Sequence, residues 1–277
     1  MLPKITHPTH KIDIPSLRKK VSFRPFLVKE EKLLLMAKES EDPEDILTSI
    51  KQIVNNCCLD EKFNVNEITL FDLEYIFIQL RGISVDNIVE VSYRDSEDDK
   101  VYDFKIDIKD IKVNMPDKPN NVILITDDIG IIMKYPPSTL YDDKEFLNSE
   151  DEHLFKLIIR CVDKIYQGDE VYEASSYSKE ELSEFLEDLS VKVFEQIQKF
   201  FEETPKLSYT IKYKNSLDNK REIHLNSLND FFTLRWVITS LKIIIIQYFL
   251  WLNIINILSQ NLKIWFLLKK TYMLICC

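Results

Sequence analysis

Apolar and polar residues alternate with a period of two in two stretches near the start of the chain, Lys11-Ile12-Asp13-Ile14-Pro15 and Lys20-Val21-Ser22-Phe23-Arg24. That period sorts residues onto opposite faces of a strand. With Ser16-Leu17-Arg18-Lys19 between them, the stretches predict a β-hairpin whose strands are capped by Pro15 and Pro25. The spacing then changes. Leu27, Glu30, Glu31, Leu34 and Leu35 predict a helix through Ser40. Asp42-Pro43-Glu44-Asp45 is a helix start, with Asp as the N-cap and Pro at the first helical position. Ile46, Leu47, Ile50, Ile53 and Val54 give this second helix one buried face. Leu70, Leu73, Ile76, Phe77 and Leu80 predict a third, stopped near Arg81-Gly82 by a left-handed glycine.

Strands dominate from 87 to 135. Ile88–Tyr93 and Val101–Ile108 flank the acidic turn Asp95-Ser96-Glu97-Asp98-Asp99, and Val122–Thr126 and Ile129–Tyr135 flank a second turn. From Glu150 the helical period returns, through Leu154, Leu157, Ile158, Cys161, Val162 and Ile165. Ser178-Lys179-Glu180-Glu181 is a capping box that opens another helix. A further helix carries Val193, Phe194, Ile197, Phe200 and Phe201 and stops at Thr204-Pro205. Ser208–Tyr213 and Lys220–Leu225 alternate around Asn215–Asn219 and predict a last hairpin. The expected class is α+β: an N-terminal β-hairpin, helical segments, an inserted antiparallel β-sheet, then C-terminal helices and a hairpin.

The pattern breaks after Asp230. All 46 acidic residues lie at or before that position. Trp236, Trp251 and Trp265, the chain's 3 tryptophans, all lie beyond it, and 20 uncharged residues separate Lys242 from Lys263. The length suits a transmembrane helix. Gln247, Asn253, Asn256, Ser259, Gln260 and Asn261 do not, because amides and hydroxyls are costly in hydrocarbon. An out-of-frame origin explains the tail better, since A- and T-rich codons read in a wrong frame yield Ile, Leu, Lys, Asn and Phe. Joining each codon's third base to the next codon's first two across Leu250–Leu258 permits Met, Leu or Val, then Ala or Val, Lys, Gln or Glu, Tyr or His, Tyr, His or Asn, Lys or Gln, and Tyr or His, a polar and aromatic run unlike the tail. The expected organisation is therefore a functional domain at 1–232 followed by an anomalous tail at 233–277.

Composition narrows the function classes. The chain has 277 residues and is 45% hydrophobic and 30% charged, enough for a packed core and too apolar for wholesale disorder. Its formal charge of −10 opposes nucleic-acid binding. Only Gly82, Gly130 and Gly168 are available, so a glycine-rich phosphate loop is excluded. Cys57, Cys58, Cys161, Cys276 and Cys277 follow no zinc or disulfide spacing and read as reduced thiols. The N-terminus lacks the apolar run of a signal peptide.

Several strings carry a resemblance. Leu2-Pro3-Lys4-Ile5 is followed by Lys20-Val21-Ser22-Phe23-Arg24-Pro25-Phe26-Leu27-Val28-Lys29-Glu30-Glu31-Lys32. Then come Ile50–Cys57, Phe71-Asp72-Leu73-Glu74-Tyr75, Leu80-Arg81, Val89–Tyr93, Gly130–Pro136 and Gln198–Glu202. In that order, over residues 2–232, the chain resembles the baseplate hub subunit or hub assembly family of T-even-like myoviruses. The resemblance implies a non-enzymatic part in building or forming the hub, with other phage baseplate hub proteins as partners. It places the protein in the host cytoplasm during assembly and in the virion tail baseplate. It also implies a polar C-terminal helix with a Met-x-Gln-His-His-Lys-Tyr-like run, from which residues 233–277 depart.

Candidate chemistry is sparse. His7 and His10 sit in a proline-flanked arm without further ligands nearby, and His153 starts an acidic helix. Asp95–Asp99 and Asp127-Asp128 lack the register of a calcium loop and read as turns. Cys57-Cys58 ends an apolar helix and suits packing. No residues suggest a catalytic, cofactor or metal site. The one basic patch, Arg18, Lys19 and Lys20 with Arg24, suits equally a solvated hairpin tip and an acidic partner surface, and Phe23, Phe26 and Tyr135-Pro136-Pro137 suit core packing first and partner anchoring second. The expected partner contacts are Arg18, Lys19, Lys20, Phe23, Arg24 and Phe26.

Overall fold

The computed structural model describes residues 5–40, 43–118, 120–142 and 153–226. Over these the chain is α+β, as expected. Strands β1 (His10–Ile14) and β2 (Lys19–Phe23) form the N-terminal hairpin, with Ile12 opposite Val21. Helices α1 (Val28–Ser40), α2 (Pro43–Cys57) and α3 (Leu70–Ser84) follow. β3 (Ile88–Arg94) and β4 (Val101–Asp107) make a second hairpin. A two-residue strand, β5 (Lys112–Val113), precedes β6 (Val122–Leu124) and β7 (Ile129–Met133). Helix α4 (His153–Cys161) runs directly into β8 (Val162–Gln167), and β9 (Glu170–Glu173) returns antiparallel to it. Helices α5 (Lys179–Glu187) and α6 (Val191–Glu202) and the hairpin β10 (Leu207–Lys214), β11 (Lys220–Leu225) complete the order.

Capping sets several boundaries. The expected box at Ser178 is present: its hydroxyl accepts from the Glu181 N–H and the Glu181 carboxylate accepts from the Ser178 N–H. Thr69 and Asp72 form a second such box at the start of α3. Two expectations are corrected. α3 continues past Gly82 to Ser84, and among the described residues only Gly168 is a glycine with positive φ, at 57° in the β8–β9 turn. Gly82 is small for packing instead: a Cβ there would stand 3.2 Å from the Ile108 side chain. Val162 and Ile165 lie on strand β8 rather than extending α4, because β8 pairs with β7 and β9.

Two apolar cores result. The first gathers the N-terminal hairpin, α1 to α3, β3–β4, β5 and β10–β11 around Ile53, Leu73, Ile76 and Ile78. Its three-stranded sheet has the order β11-β10-β5, so chain distant in sequence closes it. The second packs α4, α5 and α6 on the sheet β6-β7-β8-β9, through Ile123, Ile131, Leu157, Ile197, Phe200 and Phe201.

Tyr135-Pro136-Pro137, a candidate surface anchor, instead joins the two cores. The Tyr135 ring stacks on Phe200 at 5.5 Å and 9° and meets Phe71 edge-on at 5.5 Å. The Leu70 N–H donates to the Pro136 carbonyl at 3.0 Å and the Ser138 N–H to Ile68 at 2.9 Å. The Lys51 ammonium, itself buried, meets the Asp142 carboxylate at 2.5 Å beside this seam.

Candidate functional site

The β1–β2 hairpin puts Ile12, Ile14, Val21 and Phe23 into the first core and leaves Lys11, Asp13 and Lys20 in solvent. Its turn is held by the Arg18 N–H donating to the Ile14 carbonyl at 2.8 Å, with Arg18 at φ 50°. A carboxylate from elsewhere in the fold anchors it. Asp72, wholly buried at the start of α3, accepts from the Ser16 N–H at 3.0 Å and from the Ser16 hydroxyl, while capping Thr69. The tip is thereby held at the start of α3, with Leu17, Arg18, Lys19 and Lys20 exposed. Lys20 makes a loose pair with Asp13 at 3.6 Å. Arg18, Lys19 and Lys11 have no ion pair among the described residues. Lys11 was not among the expected contacts, although its alternation with Ile12 places it on the outer face.

The other expected contacts serve the interior. Phe23 is completely buried, edge-on to Phe63 at 5.7 Å. Phe26 is half-buried against Phe77 at 5.7 Å, and its N–H donates to the Ser84 hydroxyl. Arg24 reaches inward. Its guanidinium donates to both Glu30 oxygens at 3.0 and 3.2 Å, to the Pro25 carbonyl at 3.0 Å and to the Asn56 carbonyl at 2.8 Å. Glu30 is 0% exposed and also accepts from the Leu27 N–H, an orphan donor at the start of α1. Burial pushes the Glu30 carboxyl up, but hydrogen bonds from Arg24 and Leu27, with the charges of Arg24 and Lys29, hold it below its ordinary value. One ion pair thus ties the end of β2, the start of α1 and the end of α2. The basic surface is the tip alone.

The acidic turn is also committed internally. Asp95 is buried and accepts from the Tyr213 hydroxyl at 2.5 Å, with Arg221 at 3.3 Å. Glu97 accepts from Asn215 and Asn219, and Asp98 accepts from Tyr102, Ser216 N–H and Ser216 hydroxyl. The hydrogen bond from Tyr213 holds the Asp95 carboxyl below its ordinary value, and burial with Asp95 pushes the Tyr213 phenol up to about 12. The tips of β3–β4 and β10–β11 are clasped together, so Asp95 and Asp98 offer no free cation cage. Among the described residues no three His, Cys, Asp or Glu side chains are grouped to hold a metal. Burial pushes the Cys57 thiol up to about 11 and Cys161 further, so neither is a ready thiolate. His7 is exposed, and His224 meets the Thr210 hydroxyl at 3.2 Å.

No helix among the described residues is long and apolar enough to cross a membrane, and the apolar run within 233–277 lies outside them. No curated protein and no solved structure matches the chain. A family model described as T4 bacteriophage base plate protein matches residues 7–233. That span takes in the hairpin tip, both cores and the clasped turns, and stops where the composition breaks. The chain therefore belongs to the T4 bacteriophage base plate protein family, whose members have a structural role in the phage.

Proposed function

We propose that the protein works without catalysis, through protein contacts, in assembling or forming the hub of the tail baseplate. The family match over residues 7–233 carries this reading. The hub itself is supported by the strings quoted from Leu2-Pro3-Lys4-Ile5 to Gln198–Glu202. Its partners are other baseplate hub proteins. Its locations are the host cytoplasm during assembly and the tail baseplate of the virion. The docking feature is the exposed basic tip, Arg18, Lys19 and Lys20 with Lys11 beside it, anchored through Ser16 to Asp72, on a chain of net charge −10. An isolated basic knob of this kind suits an acidic partner surface, and its contribution falls as salt rises.

The functional unit is residues 1–232, and 233–277 is an out-of-frame product. The coincidence of the family match's end with the loss of acidic residues supports this. Co-expression with neighbouring hub genes and pull-down tests the reading. Capture of a hub protein, weakened by charge reversal at Arg18, Lys19 and Lys20, is the expected result; no hub partner at all overturns it. A one-base slip near codon 233 of the gene is the expected sequencing result. An intact frame, with membrane fractionation of the full chain, returns the anchored alternative.

A further inference from the structure

The four-stranded sheet ends on unlike edges. β9 carries Glu170 and Glu173, charges of the kind that discourage an edge strand from recruiting another. β6, the opposite edge, is Val122-Ile123-Leu124 and carries none. Just outside the two ends of β6 the Asn121 carbonyl accepts from the Met133 N–H at 2.7 Å and the Ile125 N–H donates to the Ile129 carbonyl at 2.9 Å. Antiparallel bonding alternates along a strand, so Asn121, Ile123 and Ile125 face β7. The N–H and C=O groups of Val122 and Leu124 point away from the sheet and have no partner among the described residues. Their side chains are 49% and 56% exposed. On that outer face Val122 lies beside Ile132, in a row that continues to the Lys164–Glu173 ion pair, and Leu124 is in line with Gly130, Tyr166 and Val171.

We propose that β6 pairs antiparallel with β6 of a second copy of this chain, about a two-fold axis at Ile123. The outward groups set the register. Val122 of one copy bonds Leu124 of the other, twice, giving four N–H···O=C bonds and a sheet continuous across both copies. The flanks favour this direction. Asp117-Lys118 precede the strand and Asp127-Asp128 follow it, all exposed and without an ion pair among the described residues. Antiparallel pairing sets the near-neutral Asp117-Lys118 flank against the other copy's aspartates, whereas parallel pairing would set the two Asp127-Asp128 pairs against each other. The contact is isologous and consumes the open edge, so it closes at two copies, and the acidic β9 edge blocks extension at the other side.

Sedimentation velocity on the full chain tests the proposal. A concentration-dependent dimer is expected. Leu124→Lys should raise its dissociation constant at least tenfold while far-UV circular dichroism stays unchanged, because the side chain is exposed. Val171→Lys, on the same outer face but the other edge, should leave it unaltered. An equimolar mixture of Val122→Cys and Leu124→Cys chains should form a disulfide that neither variant forms alone, since bonded pairs lie about 5.5 Å apart at Cα. A wild-type monomer at about 50 μM overturns the proposal, since that concentration detects any Kd of about 10 μM or tighter. So does self-association indifferent to Leu124→Lys, which would place the contact elsewhere, or a disulfide that ignores the predicted pairing.

Discussion

Arg24→Ala should destabilise the protein by about 3 kcal/mol, the lower part of the range for removing one member of a buried ion pair. The wild-type Glu30 carboxylate is wholly buried, with two Arg24 bonds, the Leu27 N–H at 2.9 Å, and the Lys29 ammonium at 3.6 Å. The alanine variant keeps only the last two and also leaves the Pro25 and Asn56 carbonyls without their donor. Lys29 is exposed and compensates weakly, which places the cost at a few kcal/mol rather than tenths. Urea unfolding of the full chain, followed by circular dichroism, gives the difference. Arg24→Met with Glu30→Met removes both charges, and should recover at least about 2 kcal/mol of the loss. The pH dependence has a definite sign. In the wild type the Glu30 value is depressed on folding, so the pair's contribution is present above the ordinary carboxylate value of 4.5 and is lost as pH falls through the folded value. Without Arg24, burial dominates and raises that value, so the variant gains relative stability as Glu30 protonates. The gap between wild type and Arg24→Ala should therefore narrow between about pH 7 and about pH 4. A loss under about 0.5 kcal/mol at neutral pH, or a gap that does not change with pH, refutes the reasoning.

Asp72→Ala removes the anchor of the hairpin tip and the α3 cap together; a loss of about 2 kcal/mol is expected, with faster amide exchange across Ser16–Lys19 than across β6–β7. Tyr135→Ala opens the seam between the cores and should cost about 3 kcal/mol, whereas Tyr135→Phe keeps the stack on Phe200 and should cost under about 1 kcal/mol in the same unfolding assay. Gly130→Val drives its side chain into the Tyr166 ring, so it should destabilise by about 1–3 kcal/mol despite the better strand propensity of valine, and Tyr166→Ala in the same chain should relieve part of that.

The elements legible in the sequence are those whose stabilising pattern is local. The N-terminal hairpin showed in the alternation around Ile12 and Val21, α2 in the spacing of Ile46, Ile50, Ile53 and Val54, and α5 in the Ser178–Glu181 box. Periodicity and capping act within a few residues, so no partner need be known. The α+β class followed from these, and the composition break after Asp230 needed no coordinates at all. The end of the family match at residue 233 later met that break.

Tertiary structure decided the rest. β5 has two residues, too few to show a period, and exists because Leu207 and Ser208 pair with it. Val162 and Ile165 fit the helical spacing of α4, yet their backbone is claimed by β7 and β9. Arg24 and Phe23 shared a basic and aromatic run with Lys19 and Lys20, but only the fold assigns the first two to the interior and the others to solvent. The partners that fix the direction of each side chain are Glu30, Asn56 and Phe63 for the inner pair and Asp72 for the tip. A one-dimensional pattern records how polar a residue is. Which contacts satisfy its charge and hydrogen bonds depends on chain brought near from elsewhere, and that decides whether a basic residue is a docking surface or a structural clamp.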